Sequence, residues 1–203
     1  AKAVEVINSN KAEKNFIIDV QSDLTAIECA RITDKNVTIH GNGYTITRGD
    51  EFKTISDNGR SWYNPAIIEV TTPEEQGASL TLENIVLDDA KKYEGTVFAQ
   101  ADKSDNTLKV QDAIVAAYGT GNATAEITLG EGAVLKNFGG MSAVRVTGGA
   151  TLTMKEGSVI CDDTVTDRIK GEAGSNGPAG AVWVQGTNAT MESGAEIKDI
   201  VGR

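Results

Sequence analysis

The last third of the chain repeats itself, and the repeat narrows the choice of fold more than any single residue does. Thr128-Leu129-Gly130-Glu131-Gly132-Ala133-Val134-Leu135 returns as Thr153-Met154-Lys155-Glu156-Gly157-Ser158-Val159-Ile160. It returns again as Thr190-Met191-Glu192-Ser193-Gly194-Ala195-Glu196-Ile197. Ala143-Val144-Arg145-Val146, ahead of the second copy, matches Ala181-Val182-Trp183-Val184 ahead of the third. The spacing is 25 residues from Gly132 to Gly157 and 37 from Gly157 to Gly194. Repeats of roughly 20 to 50 residues built from short apolar runs specify a solenoid or a propeller.

A propeller blade needs four antiparallel strands in about 40 residues and carries blade motifs such as Trp-Asp, which this chain lacks. Twenty-five residues suit one three-stranded coil of a parallel β-helix, with each strand stacked on its counterpart about 4.8 Å away. Side chains then alternate inward and outward, and each inward position becomes an apolar column along the axis. Leu129, Met154 and Met191 are expected to share one column. Gly132, Gly157 and Gly194 are expected at a stacked turn that needs a positive φ.

The rest of the chain carries the same kind of segment. Phe16–Val20, Asn36–His40, Tyr44–Thr47, Ala66–Val70, Ser79–Leu82, Ile85–Leu87, Thr96–Ala99, Thr107–Val110 and Ile114–Tyr118 read as strands of three to six residues. The Gly41-Asn42-Gly43 turn separates two of them. Only Lys2–Ser9 reads as a helix, short and amphipathic. With 203 residues the chain suits a single domain, 1–203. Gly at 22 and Pro at only 3 favour tight turns in regular structure over a linker.

A net charge of −10 argues against nucleic acid and against an anionic membrane surface as partners. No stretch approaches 18 apolar residues, and no signal peptide is visible. The start at Ala1 and the stop at Arg203, soon after a repeat begins, read as a piece of a longer chain in which further coils or another domain are expected. Cys29 and Cys161 show no metal or redox spacing and are expected as buried free thiols.

The opening helix, Phe16-Ile17-Ile18-Asp19-Val20 and Asn36-Val37-Thr38-Ile39-His40-Gly41-Asn42-Gly43-Tyr44-Thr45-Ile46 together resemble the start of right-handed parallel β-helix domains of the pectin-lyase-like superfamily. Gly180-Ala181-Val182-Trp183-Val184 with Thr190-Met191-Glu192-Ser193-Gly194-Ala195 resembles repeats of large adhesin-like surface proteins of Gram-positive bacteria. The resemblance implies an all-β, right-handed parallel β-helix of about five or six coils with a short N-terminal capping helix. It implies an extracellular or cell-surface location. It says little about activity, because this fold hosts lyases, hydrolases, adhesins and stalks.

Catalytic chemistry is weakly signalled. Asp162-Asp163 followed by Arg168-Ile169-Lys170 resembles two motifs of β-helical polygalacturonases, whose mechanism needs a general acid and a base across the glycosidic bond. Those enzymes also need a Gly-His-Gly element between the motifs, and the single histidine, His40, lies far upstream. The adjacent carboxylates Asp88-Asp89 and Asp162-Asp163 are candidate calcium ligands, although calcium takes six to eight oxygens. No cofactor is otherwise expected and no catalytic residue is assigned. Arg48-Gly49-Asp50 matches the integrin-type tripeptide, a motif short enough to arise by chance.

A binding surface is easier to place. Long loops at about 47–65, 88–95, 136–141 and 161–179 each precede an Ala-Val-x-Val type strand, and insertions at one solenoid corner gather on one flank. If Val144 and Val146 face inward, Arg145 faces outward, and the same register turns Asp19, Glu69, Phe98 and Trp183 outward. An exposed face with two aromatics and three charges is the expectation. The loop after Thr47 adds Arg48, Phe52, Arg60, Trp62 and Tyr63. Aromatic rings with Arg and acids suit sugar or protein recognition. The alternative is that Trp62 and Trp183 pin their own loops to the flank.

The expected function is a non-enzymatic surface binding module, monomeric as a fragment, that engages a host glycoprotein, immunoglobulin or glycan. A β-helical polysaccharide lyase or hydrolase and an inert stalk are the alternatives.

Overall fold

Among the described residues the short apolar runs form strands, and each strand pairs with its counterpart one repeat later rather than with its neighbour in sequence. The structure, a computed structural model, describes residues 1–53, 66–74, 76–90, 113–139, 142–165 and 180–202. Three parallel sheets run along one axis. Sheet A contains β1 (Asn15–Asp19), β4 (Asn36–His40), β7 (Ala78–Glu83), β10 (Ala125–Leu129), β13 (Thr151–Met154) and β17 (Ala189–Met191), in that order.

Sheet B runs from β2 (Leu24–Glu28) through β5 (Thr45–Lys53), β8 (Val86–Asp88), β11 (Val134–Lys136) and β14 (Val159–Cys161) to β18 (Glu196–Lys198). Sheet C holds β3 (Ala30–Thr33), β6 (Ile68–Thr71), β9 (Val115–Tyr118), β12 (Val144–Thr147) and β16 (Val182–Gln185). A small fourth pair joins β15 (Thr164–Val165) to β19 (Val201–Gly202). The path A, B, C repeats from coil to coil, so the fold is a parallel β-helix of six coils, the sixth lacking a sheet C strand among the described residues.

The columns expected from the repeat are present. Ile18, Ile39, Leu82, Leu129, Met154 and Met191 stand in one register. Ile46, Leu87, Leu135, Ile160 and Ile197 form a second on sheet B. Between these columns the interior is closed by β-branched and Leu side chains that are almost all inaccessible to water. Removing one of them to Ala is worth about 2–5 kcal/mol.

Corners follow the same rule. Gly132, Gly157 and Gly194 have φ of +69°, +76° and +86°, a conformation that glycine adopts without Cβ strain. After sheet B, Asn137, Asp162 and Asp199 stack at φ of +58°, +57° and +56°, where the short polar side chain is tolerated.

Helix α1 (Lys2–Ser9) lies over β3 and buries Val4 and Ile7. Asn8 fixes it there: its Nδ2 donates to the Arg31 carbonyl at 2.7 Å, and its Oδ1 accepts from Thr33 N at 3.1 Å. The helix therefore shields the sheet C side of the first coil.

Both thiols are buried and free. Cys29 sits in coil one and Cys161 in coil five, about four strand spacings of ~4.8 Å apart, which no disulfide spans. Burial, and then the Glu69 carboxylate, push the Cys29 thiol up to about 12. Burial and a hydrogen bond to Asp162 push Cys161 up to about 11. Both thiols should stay unlabelled by a disulfide reagent at pH 8 in the folded protein and react fully in denaturant. Rapid labelling of the native chain would contradict this burial.

Candidate functional site

The long connections all fall at one corner of the coil. Connections from sheet A to sheet B occupy 20–23, 41–44, 84–85, 130–133, 155–158 and 192–195, four residues or fewer. Those from sheet C to sheet A never exceed six, as at 72–77 and 119–124. From sheet B to sheet C the chain takes one residue (29), then 54–67, 89–114, 137–143 and, around β15, 162–181. All four expected loops leave from this corner. Insertions here leave the sheets in register, because strand pairing is set by the columns and not by the connection.

These connections lead into the outer face of sheet C. Its central outward column is Arg31, Glu69, Ala116, Arg145 and Trp183. Sequence reasoning placed Glu69, Arg145 and Trp183 in this column correctly and Asp19 wrongly. Asp19 belongs to sheet A, and Arg31 takes the first-coil position. The strand opposite Glu69 and Arg145 is β9, so Ala116 stands where Phe98 was expected. Phe98 itself lies outside the described residues, as do Arg60, Trp62, Tyr63 and the expected strands Thr96–Ala99 and Thr107–Val110.

The expected exposure is also corrected. Glu69 is 1% exposed and Trp183 8%. Ala66 and Ala113, just ahead of β6 and β9, are fully buried and pack with Ala116, and Tyr118 lies against them. The ends of the long connections thus press onto the column. Glu69 is matched by Arg31, with Nε 2.9 Å from Oε1. The Arg145 guanidinium lies 4.2 Å from the Trp183 ring centroid and 5.6 Å from that of Tyr118, within cation–π range. Charges in this column are tolerable because each is stacked or paired.

The corner itself is built on Arg48. Its Nε donates to Asp89 Oδ1 at 2.5 Å and its Nη2 to the Ala113 carbonyl at 2.8 Å. The Phe52 ring, also buried, lies 4.3 Å from the guanidinium. Arg48 and Asp89 are both inaccessible, so Arg48-Gly49-Asp50 cannot offer its arginine to an integrin-type receptor. Arg48 and Phe52 are foundations of the corner and not contact residues.

The calcium candidates do not converge either. Asp88 Oδ1 accepts from Ala90 N at 2.8 Å and Asn137 Nδ2 at 2.9 Å, and Oδ2 is 3.5 Å from Lys136 Nζ. Asp89 turns to Arg48. Asp162 Oδ2 accepts from Cys161 Sγ at 3.3 Å, while Asp163 Oδ1 accepts from Phe138 N at 2.7 Å. Among the described residues no three His, Cys, Asp or Glu side chains gather around one point. His40 lies on sheet A, its two ring nitrogens each 3.3 Å from a carboxylate oxygen of Asp19 and Glu83.

Arg31 completes the column, Tyr118 stands beside it in register with Thr71 and Thr147, and neither was singled out by sequence. Arg31 lies in a four-residue strand with only Ile32 fully buried, so no alternation marked it. No family profile, curated protein or solved structure matches the chain.

Proposed function

We propose that this chain is a non-enzymatic recognition module of the pectin-lyase-like β-helix type, displayed on a bacterial surface or secreted. It engages a host glycoprotein, immunoglobulin or glycan through the connections between sheets B and C. One observation carries the reading: the long connections fall at a single corner, and their described ends at Ala66 and Ala113 pack against a column of paired charge and aromatic rings. A spacer has no reason to concentrate long insertions there, whereas a binding flank is made that way. Arg60, Trp62 and Tyr63 lie on the first of these connections and supply the contact chemistry. Glu69, Arg145 and Trp183 hold the platform, and Arg48 with Phe52 holds the corner. The carboxylates that would serve a lyase or hydrolase are committed to internal partners, which supports the non-enzymatic reading.

The test is a glycan array together with immobilised host glycoproteins and immunoglobulin, each with calcium and with chelator. The chain should retain a ligand in both conditions. Arg60→Ala combined with Trp62→Ala and Tyr63→Ala should weaken binding at least ten-fold with an unchanged unfolding midpoint. No retained ligand would make the chain a spacer. Release of new chain ends from uronate polymers would make it an enzyme. Either result overturns the proposal.

A further inference from the structure

Both ends of the third-coil connection, 89–114, meet on one side chain. Arg48 donates from Nε to the Asp89 carboxylate and from Nη2 to the Ala113 carbonyl. Asp89 opens that connection, and Ala113 lies next to its last residue. The Gly139 N–H, in the fourth-coil corner, donates to the same carboxylate. Arg48 itself belongs to β5, the strand that leads into connection 54–67.

The solenoid does not need the residues between those ends. Asp89 N donates to the Lys136 carbonyl at 3.0 Å, and Ile114 N donates to the Ala143 carbonyl at 2.8 Å. Connection 89–114 therefore leaves and re-enters the ladder level with 137–143, which bridges the same two points one coil later. What separates the two ends is an insertion, and a side chain from the preceding coil holds those ends together.

The strand is shaped to put that side chain there. Ala26 pairs with Arg48 but Glu28 with Lys53, so β5 bulges immediately after Arg48. Bulges re-aim side chains and are common beside functional sites. A guanidinium donates in two directions from one rigid fork, which an ammonium does not reproduce.

We propose that Arg48 is a positioning residue of the recognition flank. It closes the neck of connection 89–114 and ties that neck to the base of connection 54–67, so that the two are presented as one surface. The inference rests on the function proposed above. A ligand of this flank then depends on the neck even where the fold is intact.

The test separates position from stability. Arg48→Met combined with Asp89→Leu removes both buried charges and, with them, the donor to Ala113. Its unfolding midpoint should stay close to that of wild type. The Ile67 and Ile114 amides bond across this corner to the Ile114 and Ala143 carbonyls. They should exchange about ten-fold faster, the factor that one lost hydrogen bond is worth. Amides of β7 and β10, on sheet A, should keep their rates. Arg48→Lys, which keeps the charge without the fork, should show the same local acceleration. Among immobilised immunoglobulin, glycoproteins and glycans, any probe that wild type retains should bind the double variant about ten-fold more weakly. Exchange that rises equally in all sheets, or neck amides that do not change, would overturn the clasp. Undiminished binding of a retained probe would overturn its role in recognition. If wild type retains no probe, that role fails together with the function proposed above, while the exchange rates still decide the clasp.

Discussion

Asp89→Ala should lower the unfolding free energy by about 3–5 kcal/mol, the largest loss expected from any single charged side chain outside the apolar columns. Arg48 cannot shed its proton, so removing Asp89 takes a buried carboxylate partner from a cation held against Phe52 and the Ala113 carbonyl. For a chain of this size that corresponds to a fall in midpoint of about 6–20 °C. Arg48→Met combined with Asp89→Leu should recover most of the loss, since an apolar pair has no charge to desolvate. Single substitutions without effect would mean that water reaches the corner.

The pH dependence has a definite sign. Burial raises the Asp89 carboxyl from 3.8 to about 6, although the Arg48 charge draws it back down. A folded pKa above the unfolded one means that this group's contribution is fully present below about pH 4. It is lost as the pH climbs through about 6. Wild type should therefore lose stability relative to Asp89→Asn between pH 4 and 7. Urea unfolding at unit pH steps measures the difference, and a gain over that interval would refute the assignment.

Sequence and fold agree where the repeated motif is kept, whether its copies are 25 or 37 residues apart. Leu129, Met154 and Met191 share a column, and the three corner glycines share a positive φ, because sheet A, its corner and sheet B form a unit of nearly constant length. The first coil was less legible. Leu24–Glu28 and Ala30–Thr33 form strands that were not expected. Inward positions there, such as Leu24, remain partly exposed, so hydrophobic alternation is weak. Register across the corner from sheet B to sheet C cannot be counted, since that connection ranges from Cys29 alone to residues 89–114. Arg145 and Trp183, which follow a repeated motif, were placed correctly, whereas Asp19, with no such motif ahead of it, was not. Burial of Glu69 was illegible for a different reason. An outward position in a strand is exposed only if nothing returns across it, and local sequence does not encode that return.

The tightest contact between coils predicts the second large effect. In the third coil the corner from sheet A to sheet B is cut to Asn84 and Ile85, where the second coil uses 41–44. The shortened corner passes directly against Gly41, which donates its N–H to the Glu83 carbonyl at 2.8 Å. A Cβ at position 41 would lie 2.2 Å from Ile85 Cβ, 2.4 Å from the Asn84 carbonyl oxygen and 2.5 Å from Ile85 Cα. None of these is the far end of a flexible side chain, and Ile85 is fully buried. Gly41→Ala must therefore push the second and third coils apart along sheets A and B, where the ladder is continuous. It should cost about 4 kcal/mol or more, in the range reserved for disrupted cores. Gly43→Ala is the control: a Cβ there meets nothing within 4 Å, and φ is +81°. Its cost should be the backbone term alone, about 1–2 kcal/mol. Equal losses in the two variants would mean that the coils have slack at this corner and that stacking pressure does not hold the shortened turn in place.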